Sequence, residues 1–65
     1  MWYFRVLECE DGTWACGRGR ELLDSHDTLT AAIDHCRSLA AAARPSQVLV
    51  HHLTGRPTIA AEFAA

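Results

Sequence analysis

The chain contains no lysine, and its six arginines are outnumbered by eight acidic residues, for a formal charge of −2. A nucleic-acid-binding module usually carries a basic excess, so this balance disfavours nucleic acid as a partner. Long apolar runs are also missing, because Arg5, Glu8 and Glu10 interrupt the apolar start. A membrane span needs roughly 20 consecutive apolar residues. The sequence therefore predicts a soluble protein without a membrane partner.

Sequence motifs of the common enzyme classes are absent as well. The chain has no G-x-x-x-x-G-K, no G-x-G-x-x-G and no G-x-S-x-G, and the stretch 17–20 is too short to cradle a phosphate by itself. Asp24 and Asp27 come just before a predicted helix, where negative charge is favourable, so capping is favoured over acid–base chemistry. We expect no enzymatic activity and no cofactor.

The three cysteines, Cys9, Cys16 and Cys36, are an odd number without a C-x-x-C pair. That count is not typical of a secreted disulfide scaffold, and residues 1–5 do not have the order of a signal peptide. We therefore expect free thiols and a cytoplasmic protein, in which Cys16 and Cys36 behave as small buried hydrophobic residues.

Four histidines raise the possibility of a metal site. Adjacent residues of a strand point to opposite faces, so His51 and His52 cannot both bind one ion in a regular strand. His35 falls beside the apolar side of the predicted helix. A tetrahedral site needs three or four converging groups, and we expect no metal site here.

At 65 residues and 49% apolar composition, the chain is one small domain, residues 1–65. Residues 2–9 and 13–18 are predicted as strands joined by the turn residues Asp11 and Gly12. A two-residue turn would place Leu7 opposite Cys16, whereas a one-residue bulge would place Val6 there. Residues 20–26 are predicted as a short third strand or an extended return.

Apolar residues at steps of three and four predict a helix from Leu29 to about residue 43. They are Leu29, Ala32, Ile33, Cys36, Leu39, Ala40 and Ala43. Thr28 is the expected N-cap, with Asp27 as its competitor, and Pro45 ends the helix. Residues 47–52 and 57–63 then return to strand periodicity, with Ile59 and Phe63 as candidate core anchors.

The order β-β-(β)-α-β-β predicts an α+β domain, an antiparallel-rich sheet of four to five strands with one helix packed on one face. A crossover through the helix would make the strand at Val48 a parallel neighbour of the first strand. The side chains expected to face the helix are Phe4, Val6, Trp14, Cys16, Val48 and Val50.

One helix covers only one side of such a sheet. The candidate interface residues on the other side are Tyr3, Leu7, Leu49 and Leu53, with Trp2 as an alternative to Leu53. A small core gains from further apolar burial, so we expect a protein-interaction module that forms a homodimer or binds a protein partner.

A second patch would contain arginines. Arg18 and Arg20, with Arg5 across the hairpin, are candidate contacts for an anion or a nucleic acid, which makes a weak nucleic-acid-binding platform one alternative function. Pairing of these arginines with the acidic residues nearby is the simpler interpretation, given the net acidity.

The order of motifs resembles a family of short bacterial proteins catalogued as domain of unknown function 2188. The resemblance rests on the aromatic first strand, residues 11–16 (DGTWAC), Asp27–Thr28 before Ala31–Ala32, residues 48–51 (VLVH), Gly55 and Phe63. Arg5 stands where that family often has His, and Glu8 where it often has Pro. The family is uncharacterised, so the resemblance implies an architecture and no activity.

Residues 3–40 are also similar to the partial ribonuclease-H-like fold of HicB-type antitoxins. The shared features are the sheet, the Asp-Gly-x-Trp hairpin and the Asp-Thr start of the helix. This likeness implies an antitoxin-like inhibitor as a further alternative function, without the DNA-binding segment that such antitoxins usually carry.

Overall fold

The computed structural model describes residues 1–65 and has one α-helix packed on one side of a five-stranded sheet. The predicted α+β class is confirmed, and the third strand is present. In chain order the elements are β1 (Trp2–Glu8), β2 (Trp14–Arg18), β3 (Glu21–His26), α1 (Leu29–Ala41), β4 (Ser46–His51) and β5 (Thr58–Phe63).

The strand order across the sheet is β3-β2-β1-β4-β5. The central strand β1 pairs parallel with β4, and every other neighbouring pair is antiparallel. A parallel pair needs a crossover connection, which α1 provides. The predicted parallel neighbours are therefore confirmed, and β3 and β5 form the two edges.

The first hairpin adopts the register in which Val6 lies opposite Cys16. The Cys9 carbonyl accepts from the N–H of Gly12 at 3.0 Å, and the Cys9 N–H donates to the Thr13 carbonyl at 2.9 Å. Gly12 has φ +89°, which only glycine adopts easily. The connection is thus a three-residue loop with a glycine bulge, and the two-residue alternative is excluded.

The helix begins after Thr28, whose hydroxyl accepts from the N–H of Ala31 at 3.1 Å, so the expected N-cap is confirmed. It ends at Ala41, two residues before the apolar pattern ends. Ala32, Cys36 and Ala40 are fully buried against the sheet, and the other members of the predicted stripe are partly buried. The periodicity therefore identifies the packed side correctly.

The core lies between α1 and the covered side of the sheet. Its buried strand residues are Phe4, Val6, Cys16, Val48 and Val50, and Trp14 packs against them while partly exposed. This set matches the predicted one. Trp2 alternates with Tyr3 and pairs with buried Ser46, so Trp2 belongs to the covered side rather than the opposite one.

Cys16 and Cys36 form a disulfide, with their Cα atoms 6.4 Å apart. The expectation of free thiols is therefore wrong for this pair and holds only for Cys9. The physical reason is that Cys16 faces the helix from β2 while Cys36 faces the sheet from α1, so their side chains meet in the core. The disulfide also removes one of the arguments for a cytoplasmic location.

The two predicted anchors of β5 separate onto opposite sides of the sheet. Phe63 packs against the core, whereas the side chain of Ile59 is 59% exposed. The β4–β5 pairing shifts between Val48 and Leu49, which leaves Ala60 as an extra residue. Such a bulge reverses the alternation beyond it, so the expectation that Ile59 anchors the core is wrong.

Candidate functional site

The side of the sheet opposite α1, here called the open face, has no helix covering it. Alternation along each strand assigns its members, which lie in three rows across the strands. These rows are Tyr3, Gln47 and Glu62; then Leu22, Gly17, Arg5, Leu49 and Ile59; then Ser25, Ala15, Leu7 and His51.

Several large apolar side chains are exposed on the open face. The exposed fractions are 66% for Leu22, 59% for Ile59 and 45% for Tyr3. Leu7 and Leu49 lie between them and are half-buried. Isolated exposed hydrophobic residues are normal, but several on one uncovered face are typical of a binding surface.

Arg5 stands at the centre of the middle row. Gly17 beside it has no side chain, and no ion pair joins Arg5 to a carboxylate. Its Nε is buried without a hydrogen-bond partner. The residue as a whole is partly exposed, so Arg5 is a cation that water still reaches and that no carboxylate of its own chain neutralises.

His51 is a diagonal neighbour of Arg5 across β1 and β4. Burial lowers the pKa of His51 below its ordinary value, and the positive charge of Arg5 lowers that pKa further. At the opposite end of the face, Glu62 Oε1 accepts a 2.6 Å hydrogen bond from the amide of Gln47. At neutral pH the open face therefore carries one cation and one anion.

The structure brings three of the four predicted interface residues together. Tyr3, Leu7 and Leu49 all belong to the open face. Leu53 does not, because it lies in the loop after β4 and its backbone N–H donates to Glu8 Oε1 at 2.9 Å. Glu8 pairs with Trp14 on the covered side, and the loop bends that way.

The three predicted arginine contacts do not form one patch. Arg18 pairs with Phe4 in register, so it lies on the covered side, where its guanidinium sits 4.9 Å from the Trp2 ring centroid. It also pairs with Glu21 at 3.9 Å. Arg20 is in the turn after β2. Arg5 alone belongs to the open face.

Sequence reasoning missed two groups of residues. Leu22 and Ile59 reach the open face through bulges in β3 and β5, which leave little trace in the sequence. Asp24, His26 and His35 converge on the covered side, at the junction of β3 and α1. The alternation Asp24-x-His26 could have indicated that two of these side chains share a face.

No helix of the chain has the length and apolar character needed to cross a membrane. Comparisons with models of protein families, with curated proteins and with solved structures found no match. The resemblances drawn from the sequence motifs therefore stay predictions, and the open face and the Asp24 cluster are interpreted from their own geometry.

Proposed function

We propose that the protein is an interaction module that self-associates through the open face of its sheet. The observation that carries this proposal is the group of exposed apolar side chains, Tyr3, Leu22 and Ile59, on a face that no element of the chain covers. Burial of apolar surface is the main driving force of association between folded proteins.

The size of the open face supports a weak dimer. Five strands about 4.8 Å apart and about six residues long give a face of roughly 480 Å². Two such faces would bury about 1,000 Å² together, the lower limit for a specific interface. We therefore expect dissociation at micromolar concentrations, not an obligate dimer.

The charged residues of the open face favour a second copy of this chain as its binding partner. Arg5 has no carboxylate partner in its own chain, and Glu62 lies on the same face. Two copies related by a two-fold axis expose the same surface to each other, so Arg5 of each copy can approach Glu62 of the other. A face with one cation and one anion is self-complementary.

The test is sedimentation equilibrium of the full chain from about 1 to 500 µM, a range that brackets the expected affinity. Ile59→Lys places a charge on the open face and should yield a monomer at all concentrations. Leu53→Lys is the matched control, because Leu53 is equally exposed, 55% against 59%, but lies outside the face. The Leu53→Lys variant should form the dimer with the same affinity as the unmodified chain.

A chain that remains monomeric throughout this range would contradict the proposal, and so would equal association of the Ile59→Lys variant. Arg5→Glu combined with Glu62→Arg separates charge pairing from simple apolar burial. Each single variant should weaken the dimer, and the double variant should restore it. Tight copurification of a toxin with a monomeric chain would favour the antitoxin-like alternative instead.

A further inference from the structure

We propose that Asp24, His26 and His35 form a binding site for a divalent transition metal ion of the Zn²⁺ type. The site lies on the covered side of the sheet, away from the open face, and is independent of the proposed self-association. It joins the edge strand β3, which carries Asp24 and His26, to the middle of α1, which carries His35.

Three ligand groups of the right kind face one another, through the two ring nitrogens and both oxygens of Asp24. His26 Nε2 is 3.1 Å from Asp24 Oδ1, His35 Nδ1 is 3.0 Å from Asp24 Oδ2, and the two ring nitrogens are 3.3 Å apart. Imidazole nitrogen and carboxylate oxygen are ligands that Zn²⁺ takes readily.

The separation of the two ring nitrogens is that of neighbouring ligands of one ion. With metal–ligand bonds of 2.0–2.1 Å, neighbouring ligand atoms of a tetrahedral site lie about 3.3 Å apart. His26 Nε2 and His35 Nδ1 are 3.3 Å apart, and each contacts a different oxygen of Asp24. The carboxylate can therefore offer either or both oxygens to an ion between the rings, with little rearrangement of the backbone.

With Asp24 ionised, protons alone do not satisfy the three contacts. If both ring nitrogens donate to an ionised Asp24, two donors are left facing each other across the 3.3 Å contact. If one proton is shared between the rings, a nitrogen lone pair is left facing a carboxylate oxygen at 3.0 Å. A cation between the carboxylate and the two rings resolves this conflict, because all three groups then present lone pairs to it.

The fourth coordination position is open to solvent. The three side chains are 22–39% exposed, so water can reach an ion held between them. The Cys16 sulfur lies within 4.8 Å of the ligand atoms of Asp24 and His35, but it is bonded to Cys36. Three protein ligands and one water are the arrangement of zinc sites that keep a position free.

An ion at this site would fasten β3 to the helix. Every residue of β3 except His26 is exposed, so the strand is held mainly by its pairing with β2. Binding of a ligand to the folded state alone raises stability. The ion therefore should protect the edge of the sheet that has the least buried surface.

The test is calorimetric titration of the full chain with zinc chloride, without reductant, in a Cys9→Ser background that removes the one free thiol. We expect one ion per chain and, at saturating zinc, a Tm rise of more than about 5 °C. His35→Ala and Asp24→Asn should each weaken binding at least about tenfold. Far-UV circular dichroism establishes that each variant is folded.

His52→Ala is the matched control. His52 Nδ1 lies 3.5 Å from Glu8 Oε1, so this second histidine–carboxylate pair has no third ligand. The His52→Ala variant should bind zinc with the same affinity as the Cys9→Ser protein. Absence of binding, unchanged affinity in folded His35→Ala and Asp24→Asn proteins, or loss of binding in His52→Ala alone would overturn the proposal. None of these results depends on the oligomeric state.

Discussion

The Ser46 hydroxyl donates a 2.6 Å hydrogen bond to the carbonyl oxygen of Ala40, and both residues are fully buried. Ala40 lies in the last turn of α1, where carbonyl oxygens lack the regular helical donor, and its carbonyl also accepts from the N–H of Ala43 at 3.1 Å. Ser46 is the first residue of β4. This contact therefore caps the helix and fixes the point at which the chain re-enters the sheet.

Ser46→Ala should lower the free energy of unfolding by about 1 kcal/mol, because the Ala40 carbonyl oxygen loses one of its two donors and keeps only the N–H of Ala43 at 3.1 Å. Urea denaturation followed by tryptophan fluorescence measures the change. Ser38→Ala is the control: this exposed hydroxyl donates to the Asp34 carbonyl within the helix, so its loss should change stability by less than about 0.5 kcal/mol. Equal effects of the two variants would contradict the capping role of Ser46.

Reduction of the Cys16–Cys36 disulfide should destabilise the protein by about 3 kcal/mol. The disulfide links two residues that are 20 positions apart, and this link restricts the conformations of the unfolded chain. Urea denaturation with and without dithiothreitol measures this difference. The double variant Cys16→Ala, Cys36→Ala should not respond to dithiothreitol. An equal response in the double variant would mean that the reductant acts elsewhere.

Thr28→Ala should destabilise the protein by about 1 kcal/mol, because the N–H of Ala31 loses its acceptor at the helix start. Thr30→Ala provides the same chemical change two residues later, within the exposed first turn. Alanine is the better helix former there, so Thr30→Ala should not destabilise. Thermal unfolding followed by circular dichroism compares the two, and a larger loss at Thr30 would contradict the assignment of the cap.

His51 should make stability fall in mild acid. Its pKa in the folded protein lies below the ordinary 6.5, so the unfolded chain binds the proton first as pH decreases. The stabilising effect of the neutral ring is complete above about pH 6.5 and is lost as pH falls from there through the lowered folded pKa. His51→Gln should therefore lose less stability than the unmodified chain between about pH 7 and pH 5.

Urea denaturation at each pH provides the measurement. Parallel profiles for His51→Gln and the unmodified chain would show that burial of His51 beside Arg5 has no energetic consequence.

Side-chain periodicity was sufficient to predict the layers of this fold. Steps of three and four from Leu29 identify the packed side of α1, and alternation in β1 and β4 separates Phe4 and Val48 from Tyr3 and Leu49. These patterns are direct consequences of burial on one side of an element. Three of the four predicted interface residues follow from the same alternation.

What the sequence did not predict depends on contacts between elements. The bulge at Ala60 moves Ile59 to the open face, although residues 59, 61 and 63 of a regular strand would share one side. The Cys16–Cys36 disulfide and the Asp24 cluster each require the position of α1 over β2 and β3. That position depends on packing, which local propensity does not specify.

Each edge strand contains one extra residue, Leu23 in β3 and Ala60 in β5. A strand from another molecule needs a straight run of free backbone groups to add itself to a sheet, and these interruptions break such a run at both margins. The bulges therefore obstruct the addition of strands from further chains at either edge of the sheet. This geometry disfavours open-ended fibres built by strand addition.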